Sequence, residues 1–137
     1  MSSAKKTIEV AAYIFTSAPV SKALLAAHKR GVRVRVVADK KGNNNKLSRS
    51  ALNALVLGGI EVRLNSAYAI HHDKFMIIDS KTVQTGSLNY TSSAMSRNSE
   101  NVLVIRNQPK LAQQYYQHWL SRFKEAEPYS VNFSQAE

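Results

Sequence analysis

The sequence predicts a single α/β domain: a mixed β-sheet flanked by helices. Three observations predict it. Apolar or alternating segments of strand length take turns with helical stretches over residues 8–65. Three further strand-like segments then follow without another helical pattern among them. A last helical stretch closes the series. The order β-α-β-α-β, three strands, then a helix argues for a mixed sheet covered on its faces. The length of 137 residues suffices for one core and is too short for two ordinary domains.

Residues 8–15, IEVAAYIF, form a nearly continuous apolar run of strand length. Pro19 opens a helical stretch, VSKALLAAHKRG, with Gly31 as its stop. Residues 32–38, VRVRVVA, begin with strict alternation and read as a strand. KKGNNN at 40–45 is a loop, and a second helix covers 46–57, stopped by Gly58 and Gly59. Residues 60–65, IEVRLN, alternate again. Residues 71–79, HHDKFMIID, read as a strand, with a tight turn at Ser80 and Lys81 into a strand over 82–89. Residues 91–99 read as a polar loop, 100–107 as a strand, and Pro109 starts the last helix. From Pro128 onwards, residues 128–137 read as a loosely held tail.

Apolar residues make up 44% of the chain, which marks it as globular. No apolar run approaches the ~20 residues of a membrane helix. The start, MSSAKKTIEV, shows no signal-peptide apolar region. The absence of cysteine excludes disulfides, thiolate catalysis and Cys-based zinc sites. Lysine and arginine total 19 against 9 acidic residues, a formal charge of +10. Such a field attracts polyanions, nucleic acid or an anionic lipid surface. The basic residues are spread along the chain, which suits backbone contacts better than base readout.

Chemistry concentrates in one block. His72, Lys74 and Asp79 form H-x-K-x-x-x-x-D; Gly86-Ser87-Leu88-Asn89 follows, then Glu100 at the head of an apolar segment. Residues two apart on a strand share a face, roughly 6.6 Å apart. His72 and Lys74 are therefore expected on one face with room for a phosphate between them. Ser87 and Asn89 share a face in the same way. Asp79 has the opposite parity, so it is expected at the strand end in a structural or supporting role. Neutral imidazole attacks phosphorus to give a phosphoramidate that water hydrolyses. Lys74 neutralises a non-bridging oxygen and Asn89 donates to it. Glu100 is placed to accept from the far nitrogen of His72. This scheme requires no metal and no cofactor.

The block resembles the HKD motif of the phospholipase D superfamily, and is most similar to small single-motif bacterial endonucleases. The likeness extends through IEVAAYIFTS, ALLAAHKRGVRVRVVADKKGN, NSENVLVI and PKLAQQYYQHW. The resemblance implies His72 as nucleophile, Lys74 and Asn89 as phosphate ligands and Glu100 as support for the histidine. Ser87 and Asp79 assist. The family uses two motifs per active site and this chain carries one, so the resemblance implies a homodimer with its site on the two-fold axis. One His72 then attacks while its twin donates a proton, and the coupled pair gives a bell-shaped rate profile in mildly acidic to neutral solution. The resemblance also points to a periplasmic or exported protein. Relative to the family pattern the chain is short at its N-terminus. A strand and a helix usually precede the segment matching IEVAAYIF; Ala4-Lys5-Lys6 reads as the tail of that helix, and the sheet face near residues 8–15 is expected to lack cover.

Other residues receive plainer readings. His71 and His72 point to opposite faces of a strand and make poor co-ligands for a metal. His28 and His118 read as surface or packing residues. Tyr115, Tyr116, Trp119 and Phe123 read as core. Lys40, Lys41 and Lys46 flank a loop that is either solvated or part of a phosphate-binding groove. Asn89-Tyr90-Thr91 and Asn132-Phe133-Ser134 match the glycosylation pattern only weakly. Three functions remain open: a non-specific nuclease cutting DNA, with RNA as a second candidate; a phosphatidyl hydrolase or transferase; and a nucleic-acid-binding module with an impaired site.

Overall fold

The computed structural model describes residues 2–131. Seven strands form one sheet: β1 (Thr7–Ala12), β2 (Arg33–Asp39), β3 (Glu61–Asn65), β4 (Phe75–Ile78), β5 (Thr82–Gly86), β6 (Val102–Ile105) and β7 (Glu127–Pro128). Their order across the sheet is β6-β5-β4-β1-β2-β3-β7. β1, β2 and β3 run parallel and every other pairing is antiparallel. The helices are α1 (Ala18–Lys29), α2 (Lys46–Leu57), the short α3 (Ser92–Ser96) and α4 (Pro109–Lys124). The single mixed sheet with helices on both faces is the predicted fold class.

Local chemistry sets the helix ends. The Ser17 hydroxyl accepts the Val20 N–H at the start of α1, with Pro19 in the first turn. The Asn45 side chain accepts the Ser48 N–H at the start of α2. Gly31 and Gly59 end their helices with φ of 94° and 96°, a region costly for other L-residues.

Two cores sandwich the sheet. On one face Ile8, Val10, Val34, Val36 and Val62 pack against Leu24, Leu52 and Leu55 of α1 and α2. On the other, Ala11, Val37, Phe75, Ile77 and Val83 pack against Ala112, Trp119 and Phe123 of α4. The Trp119 indole N–H donates to the Val10 carbonyl at 2.9 Å. Glu9 and Arg35 are register partners across β1 and β2 and form a buried ion pair at 3.2 Å. Strand alternation places them on the α4 face, with the guanidinium 4.7 Å from the Trp119 ring centroid.

Several expectations give way. The motif strand begins at Phe75, so His72 and Lys74 precede it, while Asp79 sits at its end, directly after Ile78, where strand parity placed it. The hairpin turn is Asp79-Ser80, with φ of 54° and 58°, as a tight turn between antiparallel strands requires. The strand expected over 82–89 ends at Gly86, and the polar stretch 91–99 contains α3, capped by the Thr91 hydroxyl at 3.0 Å. Ala4, Lys5 and Lys6 are not helical. β1 is covered despite the expectation of a bare face: Ile8, Val10 and Ala12 are 0% exposed. The start of the expected loose tail is tied down. Pro128 pairs with Arg63, and the Tyr129 N–H donates to the Val62 carbonyl at 2.8 Å. The rest of that tail, with the Asn132-Phe133-Ser134 motif, lies outside the described residues.

Candidate functional site

Because β4 runs against β1 and β2, its start shares one end of the sheet with their C-terminal ends. The segment from His71 to Lys74 is anchored at that end by Asp39, the last residue of β2, which is 2% exposed. One carboxylate oxygen accepts the His71 N–H at 2.7 Å; the other accepts the Gly42 N–H at 2.7 Å. His71 is buried with both ring nitrogens lacking a hydrogen bond, and burial pushes its imidazole below the usual histidine range. Its neighbours Asp73 and Asp39 only partly offset that.

His72 is exposed and Lys74 half-buried. The Lys74 ammonium lies 3.0 Å from His72 Nδ1 and 3.2 Å from Nε2. The two ring nitrogens point in different directions, so a cation close to both sits against the ring face and not in line with one lone pair. Lys74 also donates to the His72 carbonyl at 3.1 Å. The Tyr13 ring lies 4.8 Å from the imidazole and 5.8 Å from the Lys74 ammonium. The expected pairing of His72 with Lys74 is present. It comes from an anchored loop and not from strand alternation, and the tips touch instead of standing apart.

Beside them, the Ser87 hydroxyl donates to Glu100 at 2.5 Å and accepts the Asn101 N–H at 3.1 Å. The other Glu100 oxygen accepts from Asn98 at 3.1 Å. These donors, then the nearby Lys74, hold the Glu100 carboxyl below its ordinary range. Burial lowers the Lys74 ammonium, and Glu100 and Asp73 partly restore it. The expected contact of Glu100 with His72 is not among the described hydrogen bonds; the Glu100 oxygens accept from Ser87 and Asn98. Gly86 permits the close approach of β5 and β6. A side-chain carbon there would lie 2.1 Å from the Asn101 carbonyl oxygen. Asn89 is half-buried, and its side-chain oxygen has no hydrogen-bond donor. No direct contact joins it to His72 or Lys74 among the described hydrogen bonds.

Asp79 stands apart from this group, at the far end of β4 and roughly 17 Å along the strand from Lys74. Its carboxylate accepts the backbone N–H groups of Lys5, Lys6 and Thr7 at 2.7 to 3.1 Å. Burial pushes this carboxyl up, but the three donors and Lys81 outweigh burial and hold it below its ordinary value. The supporting role is thus structural: a left-handed turn residue that pins the chain's start. Asp79→Asn keeps the turn tolerance and removes the charge. We expect it to lower stability by about 1–2 kcal/mol at pH 7, read by urea unfolding. The depressed carboxyl stabilises the fold above its unfolded value, so the deficit should shrink as pH falls below about 4. A deficit that grows in acid would contradict this assignment.

Sequence reasoning missed three neighbours: Tyr13, Asp73 and His118. The His118 ring nitrogen lies 2.8 Å from an Asp73 oxygen, joining α4 to the residue between His72 and Lys74. His72, Lys74, Thr85, Gly86, Gln114 and His118 line a groove of about 510 Å³. Tyr13 carries no signal beyond an aromatic in an apolar run, and Asp73 with His118 are 45 residues apart. Among the described residues no group of three or more His, Asp or Glu is arranged to hold a metal ion. Chemically, the site offers an exposed imidazole, an adjoining ammonium and a carboxylate–hydroxyl pair around an open groove. That set suits attack on, and charge neutralisation of, a phosphodiester.

Comparison with known proteins follows the same line. The profile of the family described as "Cardiolipin synthase, PLD-like domain" matches residues 1–123. The chain is 45% identical to Nuc from Salmonella typhimurium, a phospholipase D family member of known crystal structure. The match has a TM-score of 0.94 and covers 95% of this chain and 86% of that one. It is 40% identical over 119 residues to a protein named phospholipase D from Rickettsia conorii, covering 87% of this chain and 58% of the relative. It is 36% identical over 127 residues to mitochondrial cardiolipin hydrolase of Danio rerio, covering 92% and 55%. The chain therefore spans a little over half the length of these two curated relatives. A fold, a profile and relatives that agree over nearly the whole chain place it in the phospholipase D family.

Proposed function

We propose that this protein is a metal-independent phosphodiesterase that cleaves nucleic acid through a covalent phosphohistidine on His72, as a homodimer. The observation that carries the reading is the exposed His72 imidazole held against the Lys74 ammonium at a groove's edge, on a chain of charge +10. An imidazole nitrogen of His72 attacks phosphorus, forming the N–P bond as the P–O bond to the leaving strand breaks. Lys74 neutralises a non-bridging oxygen, with Asn89 as a donor to the same phosphoryl group. The leaving oxygen takes its proton from the partner subunit's His72. Water, deprotonated by that same second imidazole, then cleaves the N–P bond and frees the first.

The dimer has physical support in β6, an edge strand that leads directly away from Glu100. Val102, Leu103 and Val104 are 43%, 57% and 43% exposed, an apolar edge that a second copy would cover. Leu103→Lys is expected to shift the protein from dimer to monomer in sedimentation and to reduce turnover at least about 100-fold. Full activity in a monomer would rule out a shared site.

The substrate test is direct. Plasmid DNA, RNA and vesicles containing a diphosphatidyl lipid are each incubated with the protein in excess EDTA. Cleavage of nucleic acid with inert vesicles supports the reading. Turnover of lipid alone makes the protein a phosphatidyl hydrolase, in line with the Danio rerio relative named mitochondrial cardiolipin hydrolase. Binding of DNA without cleavage of any substrate makes it a binding module.

A further inference from the structure

A second cleft, of about 420 Å³, opens at the same end of the sheet as His72 and Lys74. Lys40, Lys41, Asn44, Arg49, Asn53 and Tyr129 line it. Three cations face one carboxylate there, Glu127, which pairs with Lys40. Lys41 is exposed. Inside the cleft the Asn44 oxygen accepts from Arg49 and the Asn53 oxygen from the Tyr129 phenol, so the two amides present their N–H groups as donors for phosphate and sugar oxygens. Nothing in the chemistry assigned to His72 uses it.

Its position relative to the candidate site is fixed by Asp39. One carboxylate grips both sides, taking the Gly42 N–H with one oxygen and the His71 N–H with the other, each at 2.7 Å. This buried group ties the loop carrying Lys40 and Lys41 to the segment carrying His72 and Lys74. Tyr13 fills the ground between them. Its ring lies 4.8 Å from the His72 ring on one side. On the other it comes so close to Gly42 that a side-chain carbon there would lie 2.9 Å from it. The cleft reaches from the end of β2 to β3 and β7, two to four strand spacings from β4 or about 10–19 Å, and opens on the α2 side while the His72 groove is lined by α4, so a strand joining them runs across the end of the sheet.

Resting on the nuclease reading, we infer that the cleft at Lys40 and Lys41 is a second phosphate-binding site. It takes a flanking phosphate of the polynucleotide strand whose scissile phosphate sits at His72 and Lys74. Asp39 sets the separation of the two sites, and Tyr13 offers its face to the sugar or base between them. The consequence is a preference for polymers: a substrate with one phosphate uses half of the binding surface.

The test is a length series of single-stranded oligonucleotides, from a dinucleotide to a dodecamer, cleaved by wild type, Lys41→Ala, Lys41→Glu and Lys29→Ala. Lys29 is exposed at the C-terminal end of α1, at the opposite end of the sheet, and its variant removes the same charge. For Lys41→Ala, KM for the dodecamer should rise about 10-fold, and more for Lys41→Glu, while KM for the dinucleotide changes less than about two-fold. The salt dependence of log KM for the dodecamer should lose about 0.7 of its slope, one phosphate's share on a single strand. Lys29→Ala should track wild type at every length. An equal rise at all lengths, or none at any, or the same rise in Lys29→Ala, would overturn the second site while leaving the nuclease reading intact. A Lys41 effect confined to diphosphatidyl lipid vesicles would overturn it in favour of a lipid with two phosphates. Failure of the wild type to cleave any oligonucleotide would overturn both readings together.

Discussion

His72→Ala is expected to reduce phosphodiester cleavage at least about 10⁴-fold, with wild-type activity insensitive to EDTA. The scheme assigns to this one imidazole the bond to phosphorus and, through its twin in the second subunit, the proton given to the leaving oxygen. Removing it deletes both steps at once, and groups acting as a unit lose most of their effect when one is lost. Lys74→Ala should cost less, about 10²- to 10³-fold, because it removes charge stabilisation and leaves the nucleophile. The folded state should be almost indifferent to the His72 change. The residue is exposed, so urea unfolding should shift within about 0.5 kcal/mol. A His72→Ala protein that keeps a tenth of wild-type turnover would remove the histidine from the chemistry.

The largest effect on stability is expected at Arg35. Arg35→Ala strips the partner from a carboxylate that is 1% exposed, and removes the guanidinium from the Trp119 ring. An uncompensated buried charge of this kind costs about 3–5 kcal/mol, a large part of the 5–15 kcal/mol typical of a domain. Burial already pushes the Glu9 carboxyl above its ordinary value, with Arg35 pulling it back. Without Arg35 it should rise further. A group raised in the folded state stabilises that state when protonated and loses its contribution as pH climbs through the folded value. The deficit of the variant should therefore be largest at neutral pH and shrink in acid. The double variant Glu9→Gln with Arg35→Ala should recover part of it at pH 7. A deficit independent of pH and of Glu9 would show that packing on Trp119, and not the ion pair, is what Arg35 supplies.

What the sequence made legible, and what it hid, follows from the range of each interaction. The α/β order, the caps at Gly31 and Gly59 and the core role of Trp119 and Phe123 are written locally, in period and punctuation. The closeness of His72 and Lys74 is also local, since two residues separate little in any extended segment. Its cause was not legible, because the segment is held by Asp39, 32 residues away. Asp79 shows how far strand parity reaches: it placed the residue at the strand end in a structural or supporting role, and left its partners hidden. Its place in the motif suggested the site, yet the motif spans a strand from end to end, and the aspartate serves a left-handed turn and the N–H groups of Lys5, Lys6 and Thr7. His118 reads as a surface or packing residue because its partner, Asp73, lies on another element. β7 is two residues long, too short to leave a pattern, and it ties the start of the expected free tail to the sheet. Gly86 was noticed as the opening of Gly-Ser-x-Asn; the carbonyl of Asn101 is the reason no side chain fits there.

The central claim is that His72 becomes covalently bonded to phosphorus during turnover. Mass spectrometry of enzyme mixed with oligonucleotide, quenched within milliseconds without acid and digested, addresses it directly. The account predicts a nucleotidyl phosphate adduct on the peptide containing His72, formed in EDTA and absent from His72→Ala. Burst cleavage with an unmodified His72 peptide, or an adduct on any other residue, would contradict it.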